Sequence, residues 1–201
     1  MASIYAYRSG DIPRRVTVMG LVLLGRRLAG KSSLGNLILG RSEFEAGKKT
    51  TRCVRRYGWV EGLRLAVVDT PGWSLFGLAD ATQVKEEILH SVMLCPPGLQ
   101  MFLLVIPVDS FSKRDGHALE EYSVLGDGVW SHTLVLFTWG DELRGRTIEK
   151  HIEKKGEPLQ GILRKCGYRY HVVNNKCTED NKQVIELINI LKQMYASTSS
   201  T

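Results

Sequence analysis

One run of residues, Gly25-Arg26-Arg27-Leu28-Ala29-Gly30-Lys31-Ser32-Ser33, carries the sharpest chemical signal in the chain. It matches G-x-x-x-x-G-K-[ST], a spacing whose backbone N–H groups, with the N-terminus of a following helix, cradle an anion. In such a loop Lys31 reaches the β- and γ-phosphates of a nucleotide and the Ser32 hydroxyl binds Mg2+. A second signal, Asp69-Thr70-Pro71-Gly72, follows about 40 residues later. Here Asp69 would hold Mg2+ through water, and the Gly72 amide would sense the γ-phosphate. Alone, this tetrapeptide reads as a capped turn. Joined to the loop at this separation, it points to the Walker B and switch II elements of a phosphate-binding α/β protein.

Three further stretches are candidates for the same site. Thr50 and Thr51 lie where a threonine could close over Mg2+ and the γ-phosphate, as switch I does in G domains; equally, both could be β-formers opening the next strand. Thr138-Trp139-Gly140-Asp141-Glu142 stands where the N/T-K-x-D guanine motif is expected. Asp141, three residues after Thr138, would accept hydrogen bonds from guanine N1 and N2, which adenine cannot supply. Trp139 occupies the lysine position and could lie flat against the purine. A shifted register gives the carboxylate role to Glu142, and both acids could instead be solvated caps of the next helix. Asn174-Asn175-Lys176 ends the last strand, where a final loop would touch the base.

The elements that must position these groups follow from hydrophobic pattern. Residues 16–24 form an aliphatic run that reads as a buried parallel strand. Ser33 to Leu39 reads as a helix with Leu34, Leu37 and Ile38 on one face and Gly40 as its C-cap. Cys53–Val60 and Leu63–Val68, joined at Glu61-Gly62, read as an antiparallel pair. Strands at 99–108, 131–137 and 168–173 alternate with helices at about 81–94, 113–125, 147–155, 158–166 and 179–195, the last capped by Thr178. Right-handed crossovers then give an α/β fold: a doubly wound, mostly parallel six-stranded sheet with one antiparallel edge strand. The nucleotide would lie at the carboxyl ends of its strands. Residues 1–15 read as a leader, 16–196 as one domain and 197–201 as a polar tail.

Composition sets the outer bounds. A chain of 201 residues with 43% hydrophobic and 24% charged residues fits one domain with a substantial core. The formal net charge of +6 favours anionic partners, which nucleotide phosphate alone could explain. Basic residues lack the aromatic interleaving of a nucleic-acid surface, so nucleic acid is not expected as a partner. Cys53, Cys95, Cys166 and Cys177 form no C-x-x-C pair and read as reduced thiols of a cytoplasmic protein. No signal peptide and no membrane-spanning run is visible.

With these residues in hand, the chain resembles the AIG1-type G domain of the immunity-associated GTPases, the GIMAP family. The resemblance rests on Leu24-Gly25, Ala29 through Gly40, Phe44, Thr50 with Cys53, Val67 through Trp73, and Pro97-Gly98 before Phe102-Leu103-Leu104-Val105. It covers about residues 16 to 195. It implies a G domain that binds GTP or GDP with Mg2+ and pairs with a second copy across the nucleotide face in the GTP form. The family often carries C-terminal anchors or coiled coils, which makes this chain either a bare domain or part of something longer.

Three departures temper what the resemblance implies. Arg27 and Leu28 replace the small residues usual in the middle of the loop, and the Leu28 position calls for positive φ. The guanine motif lacks its lysine. Family members often show Gly-Arg-Tyr-Thr after the shared strand, with an arginine proposed to act across a dimer, whereas here the stretch reads Asp109-Ser110-Phe111-Ser112. Trp73 follows Gly72, where Ras-like proteins place a water-positioning glutamine. Nucleotide binding with slow or absent hydrolysis is therefore expected. A nucleotide-stabilised interaction module is the alternative, and an ATP-using enzyme of the same loop class a third reading.

Overall fold

The computed structural model describes residues 18–73, 81–97, 100–176 and 181–198. Its elements run β1 (Val18–Gly25), α1 (Lys31–Leu39), β2 (Val54–Val60), β3 (Leu63–Asp69), α2 (Ala81–Leu94), β4 (Gln100–Pro107), α3 (Lys113–Leu119), β5 (Thr133–Thr138), α4 (Ile148–Lys155), α5 (Glu157–Lys165), β6 (Tyr170–Val172) and α6 (Lys182–Thr198). Short 3-10 turns at Glu120–Leu125, Asp127–His132 and Gly140–Leu143 complete it. The six strands lie in the order β2-β3-β1-β4-β5-β6. Only β2 pairs antiparallel, with β3; the other pairings are parallel.

β1 is buried on both faces, and its alternating residues feed two cores. Leu21 and Leu23 pack with Leu34 and Ile38 of α1 and Leu187, Ile188 and Leu191 of α6. Val22 and Leu24 pack with Ile88 of α2, Leu159 and Leu163 of α5 and Phe137 of β5. Apolar burial at both faces of a parallel sheet is what places the strand ends, and the loops that leave them, along one rim. The β1 exit at Gly25 and the β3 exit at Asp69 are neighbours on that rim because Leu23 pairs with Asp69.

The outer edge is β2. Val54 and Val60 pack onto the α1 side of the sheet, while Arg55, Tyr57 and Trp59 are exposed. Arg55 and Arg64 place their guanidinium carbons 5.0 and 5.4 Å from the Tyr57 ring centroid. Arg41 Nη2 donates to the Tyr57 carbonyl at 2.9 Å, and Arg56 pairs with Glu43 at 3.4 Å.

Several boundaries differ from the pattern-based expectation. The helix expected over 113–125 ends at Leu119 and tightens into a 3-10 turn that carries Tyr122 into the core. The strand expected from Ser131 begins at Thr133, because a 3-10 turn precedes it and Thr133 Oγ1 donates back to Val129 O at 2.7 Å. β6 is shorter than the 168–173 run because Tyr168 takes a left-handed φ of 54°, which no strand accommodates. The last helix runs to Thr198, past the expected start of the tail. The leader at 1–15, the Thr178 cap and residues 199–201 lie outside the described residues.

His151 on α4 is buried, edge-on to Phe137 at 6.4 Å between ring centroids, and its Nε2 has no hydrogen-bond partner. Burial, aided by Lys155, Arg146 and Lys154, holds its pKa below the ordinary 6.5. The unfolded chain therefore takes up a proton at higher pH than the folded one. The stability owed to neutral His151 is present above pH 6.5 and is lost as pH falls below it. His151→Leu should flatten the acid limb of the stability profile, measured as urea midpoints between about pH 7 and 5; an unchanged slope would place the acid sensitivity elsewhere.

Candidate functional site

The loop between β1 and α1 turns sharply because Gly25 sits at φ 150°, and a Cβ there would fall 2.5 Å from the Val105 carbonyl oxygen. Leu28, at φ 62°, is left-handed as its position requires, and its side chain is 71% exposed. The loop is held from three directions. The Gly25 N–H donates to the buried Tyr122 hydroxyl at 2.9 Å. The buried Thr138 hydroxyl donates to Ala29 O at 2.8 Å. The Arg27 N–H donates to Trp73 O at 2.8 Å, tying the loop to the segment after β3. Trp73 in turn stands edge-on to Tyr122, with ring centroids 5.4 Å apart.

Inside the loop, Lys31 is buried and donates to the carbonyls of Gly25 at 3.2 Å and Arg26 at 2.9 Å. Burial lowers its pKa to about 8, against the pull of Asp69. Burial also raises the Asp69 carboxyl above its ordinary range, opposed by the Ser32 hydroxyl and by Lys31. Gly72 packs so close that a Cβ would lie 2.4 Å from Arg27 N and 2.6 Å from Lys31 Nζ. Any larger residue would push the loop away.

Three oxygens converge beside it. Ser32 Oγ donates to Asp69 Oδ2 at 2.6 Å, Thr50 Oγ1 donates to the same oxygen at 3.1 Å, and the two hydroxyls lie 3.5 Å apart. Asp69 Oδ1 is buried without a partner. An all-oxygen set with a single carboxylate suits a small hard cation that completes its shell with phosphate oxygens and water. Ser32, Thr50 and Asp69 are thus the residues that would hold Mg2+, which when bound neutralises phosphate charge. Thr51, the other switch I candidate, is exposed. Asn36 fixes the approach to Thr50: its Oδ1 accepts from the N–H groups of Glu43 and Phe44, both at 2.8 Å.

A cavity of about 270 Å3 runs from this corner past Leu28, Gly30 and Ser33 to Trp139. At the Trp139 end, Gly140 N–H donates to Val173 O at 3.1 Å, joining the β5 and β6 exits. Asp141 accepts from Lys176 Nζ at 2.7 Å, which holds its carboxyl below the usual range. The same ammonium lies 5.4 Å from the Trp139 ring centroid. Glu142 pairs instead with Arg144 at 3.2 Å. Asn175 Nδ2 donates to Gly30 O at 3.4 Å, whereas Asn174 closes its own loop by accepting from the Lys176 N–H at 3.0 Å. Thr138 and Asn174 are therefore engaged in building the rim, and Trp139, Asp141, Asn175 and Lys176 gather at one end of it.

The sequence profile of the AIG1 family matches residues 19–201. This chain belongs to the AIG1 family. GTPase IMAP family member 8 of Mus musculus is 30% identical to it over 210 residues, covering 94% of this chain and 29% of the mouse protein. Immune-associated nucleotide-binding protein 4 of Arabidopsis thaliana is 32% identical over 195 residues, covering 92% of this chain and 59% of the plant protein. This AIG1 chain thus spans less than two thirds of each of these relatives. Among solved structures, Toc33 from Arabidopsis thaliana in complex with Mg2+ and GMPPNP superposes with a TM-score of 0.67 at 18% identity, covering 90% of this chain and 85% of that one. Elongation factor SelB from Methanococcus maripaludis, in complex with a GTP analogue, gives 0.60 at 15% identity over 89% and 34% of the two chains. The fold is that of the P-loop G domains.

Tyr122 was not legible as a site residue: it lies in an amphipathic stretch and carries no motif. Its only signal is that a buried tyrosine hydroxyl needs a partner. Tyr122→Phe keeps the ring against Trp73 but leaves the Gly25 N–H without an acceptor. It should destabilise the AIG1 domain by about 1–3 kcal/mol in urea unfolding; a loss under about 0.5 kcal/mol would mean that the amide is satisfied otherwise.

Proposed function

We propose that the domain is a Mg2+-dependent guanine-nucleotide switch with slow or absent intrinsic hydrolysis, and that its GTP form pairs with a second copy across the nucleotide face. The observation that carries this reading is the convergence of Lys31, Ser32, Thr50, Asp69 and Gly72 on one corner of the cavity. Thr50 and Gly72 belong to the two segments that a third phosphate would draw in, so their positions differ in value between GTP and GDP. Asp141 at the opposite end supplies the carboxylate that separates guanine from adenine. The printed names of the relatives, a GTPase and a nucleotide-binding protein, agree with it.

Slow turnover follows from what stands after Gly72. The Trp73 ring packs against Tyr122, and its one polar side-chain group, the buried indole N–H, donates only and cannot accept from an attacking water as a glutamine carbonyl does. Pairing is supported by a likeness to Toc33, described as a translocon component whose dimerization is important for GTPase activity. Among the described residues no helix is long and apolar enough to cross a membrane, and a cytoplasmic location is part of the proposal. A module that binds nucleotide without using hydrolysis shares the same geometry and differs only in turnover.

Titration with fluorescent GTP and ATP in Mg2+ tests the reading. GTP should bind the more tightly, and Lys31→Ala should weaken binding by about a hundredfold or more. Asp141→Ala should bring GTP and ATP affinities together, while Glu142→Ala should not. Light scattering should show a dimer with a GTP analogue and a monomer with GDP. Undiminished binding by Lys31→Ala would sink the site assignment.

A further inference from the structure

Arg27 occupies the third position of the loop and differs from its neighbours in what its side chain does. Arg26 turns away from the cavity, and its Nη2 donates to Ser110 Oγ. Lys31 is buried and bonded to its own loop carbonyls. Arg27 is exposed and is one of the residues that line the cavity. Among the described residues its guanidinium has neither a hydrogen-bond nor an ion-pair partner.

Its backbone fixes which end of the cavity it serves. The Arg27 N–H is bonded to Trp73 O, and Gly72 packs against the Arg27 nitrogen. Gly72 stands against Lys31 Nζ as well, so both contacts lie at the Lys31 corner, beside the point where Ser32 and Thr50 meet on Asp69. A nucleotide whose base lies toward Trp139 and whose first phosphates lie on the loop amides carries its terminal phosphate to this corner. There it meets a planar, permanently charged fork of five N–H donors. A diphosphate stops short of it.

We propose that Arg27 is the specificity-determining residue for the third phosphate: a guanidinium supplied by the loop itself that selects nucleoside triphosphate over diphosphate. The assignment rests on the nucleotide-binding reading above. Lys31, held in place, serves the β-phosphate that both ligands carry as well as the third, whereas Arg27, free to swing, serves only the third.

The full chain, titrated in Mg2+ with GMPPNP and with GDP, tests it. Arg27→Ala should weaken GMPPNP by about ten- to a hundredfold, as expected for loss of a charged hydrogen-bond pair, and change GDP by less than about threefold. Arg27→Lys should recover part of the loss, since it keeps the charge but not the fork. Circular dichroism confirms that each variant is folded. Equal weakening of both nucleotides would make Arg27 a general phosphate cation and overturn the proposal. No change in either nucleotide would also overturn it, including the case in which only association between copies is lost. Lys31→Ala separates the two levels: if it binds both nucleotides undiminished, the nucleotide reading itself fails, whatever Arg27→Ala does.

Discussion

The structure depends on keeping a short stretch of backbone open. The residues from Gly25 to Gly30 must leave amides unbonded if they are to receive phosphate, so the loop cannot stabilise itself by forming a helix or a strand. Its shape is imposed from outside. Tyr122 accepts one amide, Thr138 binds one carbonyl, Lys31 binds two more from within, and the main chain of Trp73 takes the Arg27 amide. Tyr122, Thr138 and Trp73 come from three different parts of the chain, and the parallel sheet brings them to one rim. A buried amide left without such a partner costs about 1–3 kcal/mol, so the fold and the site are stabilised by the same few bonds.

Those supports also connect parts of the site. Trp73 touches the loop through its carbonyl and Tyr122 through its ring, so the segment after Asp69 and the phosphate loop share one anchor. Movement of Gly72 toward a ligand would be felt at Gly25 through two contacts. At the same corner burial disfavours the charge on both Lys31 and Asp69. An anion beside the first and a cation beside the second would each favour the ionised form. That is the electrostatic reason for phosphate and Mg2+ to arrive together.

Much of this was legible in the chain itself. The loop at Gly25–Ser33, the Asp69–Gly72 turn and a mostly parallel six-stranded sheet with one antiparallel edge strand follow from motif spacing and two periodicities, because burial on both faces of β1 leaves little choice of pattern; the order of the strands across the sheet does not. Boundaries were less legible where side chains bonded back to the main chain. Thr133 shortens β5 through Val129 O, and Tyr168, with positive φ, trims β6. Between the paired candidates, Thr50 and Thr51 are indistinguishable by type; only the folded path of the chain brings Thr50 to Asp69. The bond between Asp141 and Lys176 crosses two loops at strand ends, and no local rule announces it. Tyr122 is the clearest omission, since its role is set entirely by what lies above it in space.

The outer strand β2 has a consequence for how molecules of this protein can meet. An uncovered strand is a template for another strand, and chains that join there can grow into open-ended stacks. Here Arg41 has already taken the Tyr57 carbonyl, and Arg55, Arg56 and Arg64 crowd the same border with positive charge. Two such borders repel one another. Sheet extension through this border is thereby discouraged.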